Sequence, residues 1–371
     1  MKENVYWMKF DVLKPFMVDV FKGMGVPADD AEICAEVLIE ADRRGIDSHG
    51  VGRLKTIYYN RVVKDRIQNA RTDFQVLKDR MATAVVDGNQ GMGMVIAHRC
   101  MEMAIEKART YGVGVVTARN STHYGIAAYY PMMAARAGMI GMTATNARPS
   151  IAPTFGVENM LGTNPLVYAM PTDEDFPFTN DYATSISQRG KIEAYARNGK
   201  DLPRGWVIGR DGESKTNAKA VLDDLTHDRA ALAPLGGIGE ETAGYKGYGF
   251  ATVAEILAAS LQQGDFLKRL SGTDENGQKA PIRLGHFFMA VNIEFFTDLE
   301  KFKKTTGDIL RELRASARAP GEKRIYTCGE KEYLAWLERK DKGAPLGEVL
   351  QKELIAMRDE LGLSQYKFEF E

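Results

Sequence analysis

Apolar side chains recur at helical spacing near the start of the chain. Val12, Leu13, Phe16, Met17, Val20 and Phe21 share one face of a predicted helix over residues 11–22. Gly25-Val26-Pro27 breaks it, and Ala28-Asp29-Asp30 opens a second helix through Cys34, Val37 and Leu38 to about Arg44. A third helix is expected over 53–63. Near Arg80 the texture changes: a short β-like run at 82–87 leads into the turn Gly88 to Gly93, then a long amphipathic helix over 95–111. Strands are predicted at 113–118 and 140–146, with a helix at 126–137 between them. That rhythm points to an α/β layer. Prolines and glycines between Pro149 and Pro165 mark an irregular region, 182–212 reads as turns, and Pro234 to Gly249 is dense in glycine. A helix at 252–262, a strand at 287–293 and a charged helical tail from Leu299 follow. The simplest organisation is a helical unit built from both chain ends, residues 1–77 with 299–371, framing an α/β unit over 78–298.

The length of 371 residues suits two closely packed units rather than one small core. Lys plus Arg number 49 against 50 for Asp plus Glu, so there is no electrostatic reason to expect nucleic acid or an anionic membrane as partner. No apolar run reaches the length of a membrane span, and Met1 to Phe10 lacks a signal-like apolar stretch. Cys34, Cys100 and Cys328 are far apart and form no Cys-x-x-Cys pair. Buried free thiols of a cytoplasmic protein are therefore expected, with no metal site and no disulfide framework.

Histidine is scarce, so its contexts matter. His49 lies in Arg43-Arg44-Gly45-Ile46-Asp47-Ser48-His49-Gly50, a polar break between two predicted helices, with Arg53 four residues on. An imidazole beside a guanidinium suits a substrate with a carboxylate next to a carbonyl: Arg grips the carboxylate and His exchanges the proton on oxygen. Ser48 would orient the ring and Gly50 would let a ligand approach. The competing interpretation is a helix cap made by Asp47 or Ser48. His123, in Asn120-Ser121-Thr122-His123-Tyr124-Gly125, follows a predicted strand, where α/β proteins place ligands, although a plain capping loop also fits. His98, His227 and His286 read as structural or surface residues. Gly91-Met92-Gly93 is the nearest approach to a dinucleotide fingerprint, and it lacks the third glycine. Gly162-Thr163-Asn164-Pro165, Asp181 to Ser185, and Pro234 to Gly237 with Lys246 are further loops able to bind an oxygenated or phosphorylated ligand.

Taken in order, these segments resemble the type-2 malate/L-lactate dehydrogenase family, which includes sulfolactate and ureidoglycolate dehydrogenases and cyclic imino-acid reductases. The likeness runs from about Val12 to Phe296 and continues through Gly190-Lys191, Leu202-Pro203-Arg204-Gly205-Trp206 and Gly285-His286-Phe287-Phe288. It implies a three-layer α/β fold with a mixed central sheet, a nicotinamide-binding unit that is not Rossmann-like, and NAD or NADP as cofactor. It also implies Ser48 and His49 as the catalytic pair, with His123 as a rival base, and Arg53 and Thr163 as substrate contacts. Ser121, His123, Gly125, Asp181, Ala183, Thr184, Ser185, Gly236 and Gly237 match cofactor-contacting positions, and Lys246 is added as a cation for its phosphates. A homodimer with its pocket near the subunit interface is implied as well. One departure stands out: Lys191 lies where imino-acid reductases carry a relay aspartate. That favours the malate/lactate branch, malate–oxaloacetate first, over L-lactate, sulfolactate, ureidoglycolate, a keto-sugar acid, or a homologue that binds without catalysis.

Overall fold

The computed structural model describes residues 5–371. After the short strand β1 (Tyr6–Met8), two helices pack as a pair, α1 (Phe10–Gly23) and α2 (Ala28–Arg43). Of the apolar stripe read from the sequence, Leu13, Phe16, Met17, Val20 and Phe21 are buried completely, whereas Val12 falls off that face and is exposed. The predicted third helix is present in an unusual form. A 3-10 turn (Val51–Arg53) runs into a π-helix (Leu54–Lys64), whose wide turns are closed by i→i+5 bonds such as Asp65 N–H to Asn60 O at 2.7 Å. Such segments concentrate at functional sites because they re-aim side chains that an α-helix would place elsewhere.

The central sheet contains β2 (Gln75–Arg80), β3 (Thr83–Asp87), β4 (Val113–Ser121), β5 (Met139–Thr145), β6 (Leu166–Met170), β7 (Phe178–Asn180) and β10 (Leu284–Asn292). Their order is β2-β3-β4-β10-β5-β6-β7. Only β3 and β4 run parallel, joined by the crossover helix α3 (Gly93–Tyr111), so the sheet is mixed. Helix α4 (Tyr129–Arg136) packs on β5 and against α3. Then come α5 (Arg189–Arg197), β8 (Val207–Gly209), α6 (Ala218–Thr226), β9 (Ala230–Leu232) and α7 (Gly244–Ala259), with β8 and β9 forming a two-stranded sheet.

Strand alternation separates two layers of packing. On β10, Phe288 and Ala290 join the cluster that holds α1 to α4, whereas Phe287 and Met289 join Ala254 and Leu257 of α7. Helices therefore cover both faces. The tail forms α8 (Leu299–Ala315), α9 (Glu330–Arg339), β11 (Ala344–Leu346) and α10 (Glu348–Glu360). Both chain ends meet: β11 pairs with β1, and Phe368 packs edge-on against Phe16 at 5.3 Å.

Three expectations need correction. The turn-rich 182–212 segment contains α5, and α7 starts eight residues before the expected 252. Its opening glycines are there for close packing: a Cβ on Gly247 would lie 2.1 Å from the Leu235 carbonyl oxygen. Cys34 and Cys100 are buried free thiols, but Cys328 is exposed. No helix among the described residues is long and apolar enough to cross a membrane.

Phe288 is fully buried at the centre of the sheet. Phe288→Ala is expected to destabilise the fold by about 3–5 kcal/mol, read from urea unfolding. A loss below about 1 kcal/mol would show that this layer is not close-packed.

Candidate active site

Strands β4 and β5 both run antiparallel to β10, which lies between them. Their carboxyl ends therefore emerge side by side, next to the start of β10. His286 fixes this edge. It is fully buried, stacks on Tyr124 at 4.5 Å, and bonds Thr145 Oγ1 at 2.7 Å and Ser121 Oγ at 2.8 Å. The loop after β4 then carries His123, and the loop after β5 carries Asn146, Ala147 and Arg148. Gly91 to Gly93, the incomplete fingerprint, is spoken for: Gly93 N–H donates to Thr122 Oγ1 at 2.9 Å, and that hydroxyl donates to the Gly91 carbonyl at 2.9 Å. This turn braces the His123 loop and offers no free amides to a phosphate.

Two adjoining cavities open here and share His123, Ala147, Thr163 and Leu284 as walls. One, of about 360 Å3, is lined by Ser48, His49, Gly125, Asp181, Ala183 and Glu332 among others. The second, of about 470 Å3, takes in Arg53, Arg61, Arg148 and Arg189. The first is an acidic lobe and the second an arginine lobe. A larger cavity, about 590 Å3, runs along α7 past Tyr248, Ile256 and Phe266, and no imidazole lines it.

The two imidazoles stack with centroids 5.7 Å apart and planes at 19°. Ser48 Oγ lies 2.8 Å from His49 Nδ1. On His123, Nδ1 faces the Tyr58 hydroxyl at 2.7 Å and accepts from Gly125 N–H at 3.3 Å. A backbone N–H can only donate, so it makes Nδ1 the acceptor and leaves the proton of neutral His123 on Nε2. Ser48 can donate or accept, so His49 is free to change tautomer. Burial, then the Arg53 charge, lowers the His49 pKa to about 4. Burial, then His49, holds His123 well below the ordinary imidazole value. Asp181 is open to the cavity but deep in the cleft; desolvation raises its pKa to about 6, with Glu332 adding to the effect.

The structure thus brings Ser48, His49, His123, Arg53, Thr163, Gly125, Asp181 and Ala183 to these two lobes. Ser121 instead faces His286, and Thr184 is buried with its hydroxyl on the Thr163 and Asn164 carbonyls. Ser185 is buried beside Pro234, and Gly236 and Gly237 lie in the turn that follows. Lys246 lines neither lobe; its ammonium sits over the Tyr245 ring at 5.8 Å. Lys191, the residue in the relay position, stacks over Trp206 at 4.7 Å. Sequence reasoning missed Tyr58, Arg61, Arg148, Arg189 and Glu332. Tyr58 and Arg61 sat within a predicted helix, which the structure forms with π geometry, Tyr58 on His123 and Arg61 in the arginine lobe.

The profile of a family described as malate/L-lactate dehydrogenase matches residues 8–355. The malate dehydrogenase of Pyrococcus horikoshii is 41% identical over 361 residues, covering 97% of this chain and 97% of its own. The L-sulfolactate dehydrogenase of Methanocaldococcus jannaschii is 37% identical over 353 residues, 95% of this chain and 96% of its own. In structure, the malate dehydrogenase of Entamoeba histolytica superimposes with a TM-score of 0.93 at 40% identity, covering 99% of this chain and all of that one.

The His49 loop is held from beneath by Asp42. Its Oδ2 accepts from Val51 N–H at 2.8 Å, and a Cβ on Gly50 would lie 1.8 Å from its Oδ1. Gly50 thus makes room for Asp42 rather than for a ligand, and neither Asp47 nor Ser48 caps the helix that follows. Arg339 of α9 closes the loop from outside, pairing with Asp47 and donating to the Asp42 carbonyl at 2.8 Å. Burial raises the Asp42 pKa from 3.8 to about 8. Below the lower value both folded and unfolded chains are protonated; above it only the unfolded chain ionises, until the pH passes the higher one. Stability from Asp42 is therefore full at the acid end and is lost as pH rises from about 4 to about 8. Asp42→Asn keeps the acceptor and cannot ionise, so wild type should lose thermal stability relative to this variant across that window. A difference independent of pH would refute the neutral Asp42.

Proposed function

The chain belongs to the malate/L-lactate dehydrogenase family, and on that premise we propose that it transfers a hydride reversibly between NAD or NADP and C2 of a small 2-oxo/2-hydroxy acid, with malate and oxaloacetate as the pair. It is an oxidoreductase acting on a hydroxy acid. The observation that carries this reading is the wall shared by the two lobes, where His123, stacked on His49 of the acidic lobe, meets an arginine cluster.

Residues on the acidic side fit a dinucleotide. Asp181 to Ser185 lead from the acidic lobe to the Pro234 turn, tied by Leu235 N–H to the Thr184 carbonyl at 2.8 Å. Along this track the Ser185 and Ser187 hydroxyls are buried without a partner among the described residues. Asp181, Ala183, Ser185, Gly236 and Gly237 would hold the cofactor, with Gly125 at the nicotinamide end. When bound, it would supply or accept the hydride.

The remaining chemistry belongs to this chain. Arg53 holds the carboxylate beside the reacting carbon, and Thr163 lines the same wall. His49 takes the hydroxyl proton on Nε2 during oxidation, with Nδ1–H donating to Ser48 Oγ, and returns the proton in reduction. His123 donates its Nε2–H to the substrate oxygen. Burial is the larger cause of the low His49 pKa and the Arg53 charge the smaller, so a carboxylate on Arg53 offsets only the second and eases protonation of that imidazole in part.

His49→Gln is expected to lower kcat about 100-fold or more, whereas near-normal turnover would give the proton role to His123. In wild type, kcat/KM for oxaloacetate reduction should fall as pH rises above about 4, because the protonated imidazole is needed. Malate oxidation needs the neutral form and should not lose activity to this group over the same range. His49→Gln should remove the slope.

A homodimer completes the reading, and α7 supports it. Tyr245, Phe250, Val253 and Ile256 are exposed on a helix whose opposite side is already buried in the core. Ile256→Asp is expected to shift the mass measured by light scattering from dimer to monomer; an unchanged mass would place any interface elsewhere. The three unpaired thiols are in keeping with a cytoplasmic enzyme.

A further inference from the structure

The arginine lobe holds more positive charge than one carboxylate needs. Arg53 stands next to the His49 loop, its Nε on the Ser48 carbonyl. Arg189 is engaged with Glu193 at 3.3 Å and Thr226 at 3.0 Å. Arg61 and Arg148 differ. Among the described residues neither guanidinium has a hydrogen bond or an acidic partner, though both line the cavity. Asp65, whose field reaches Arg61, is held by Lys279 at 2.8 and 2.9 Å. Burial lowers the proton affinity of Arg61, and the like charge of Arg148 lowers it further. Two unpaired guanidiniums facing one cavity repel each other until an anion lies between them, and a planar fork binds an acid group better than an ammonium does.

We propose that Arg61 and Arg148 form a second acid subsite, which binds an anionic group carried on C3 of the substrate while Arg53 holds the carboxylate at C1. This inference rests on the reading of a 2-oxo/2-hydroxy acid site above and names the class within it. The ligand is a dianion such as oxaloacetate or malate, or the corresponding sulfonate. Pyruvate and lactate offer only a methyl group at C3 and leave the two charges uncompensated, so the site discriminates by what it would leave unpaired. Arg61 is half-buried on the π-helix and Arg148 is exposed at the cavity mouth. The first therefore anchors the distal group, and the second closes over it from solvent.

The test compares wild type with Arg61→Met and Arg148→Met. For each variant, kcat/KM with oxaloacetate and with sulfopyruvate should fall about 10- to 100-fold, mainly through KM. The value with pyruvate should hold or rise, because one charge that pyruvate leaves uncompensated is gone, and retained pyruvate turnover also reports that the variants fold. Equal losses for dianion and monoanion would overturn the subsite. Calorimetric binding of malate and of lactate in the presence of reduced cofactor, which cannot turn over, separates the subsite from the catalytic reading. If wild type reduces no 2-oxo acid yet binds malate more tightly than lactate, and the variants lose that preference, the catalytic reading fails and the subsite stands. If wild type binds the two acids equally, the subsite is wrong whatever the turnover.

Discussion

The chemistry of this chain depends on β10 lying between β4 and β5. Because it runs antiparallel to both, two strands separated in sequence by a helix end at the same edge. The buried His286 then spans that edge through Thr145 and Ser121. Both hydroxyls already occupy its ring nitrogens, and burial lowers its pKa to about 3, so His286 stays neutral and serves as a brace. Everything that lines the two lobes from the sheet side, from His123 through Ala147 to Leu284, takes its position from this one crossing.

From the other side the cleft is closed by the two chain ends. The π-helix delivers Tyr58 and Arg61, the loop before it delivers Ser48 and His49, and α9 delivers Glu332. Arg339 joins these pieces by holding Asp47 and the Asp42 carbonyl at once. An exposed ion pair of this kind contributes at most about 1 kcal/mol on its own. Its value here is geometric: it fixes a loop that also hangs from the buried Asp42 carboxyl, so the His49 ring has few other places to go.

The electrostatics of the cleft are divided. Asp181 and Glu332 lie on one side and four arginines on the other, with His123 on the boundary and His49 stacked on it from the acidic side, the charged forms of both disfavoured. Neutral rings between opposite fields can respond to whatever neutralises one of those fields. On the proposed function, an anion in the arginine lobe does so and couples recognition of the acid group to the protonation of His49. That coupling needs no movement of the backbone.

Local pattern determined most of the elements. The stripe from Leu13 to Phe21, without the exposed Val12, the run 82–87, the long helix before Tyr111 and the strands near 113, 140 and 287 all form, because their periodicity is also their burial. It determined as well which loops carry candidate chemistry, through the company of His49, His123, Thr163 and Asp181. It misjudged α7 and α5, where close backbone packing and tertiary contact outweigh glycine and turn signals, and it read the π-helix as an ordinary one, since that choice is made by neighbours. Only the tertiary structure decided that Asp42, not a ligand, sits against Gly50, that Lys191 lies on Trp206, and that Arg61 and Arg148 face the same cavity as His123. Those facts concern residues dozens of positions apart, and no periodicity along a chain records which side chains meet once a sheet has brought distant strands together.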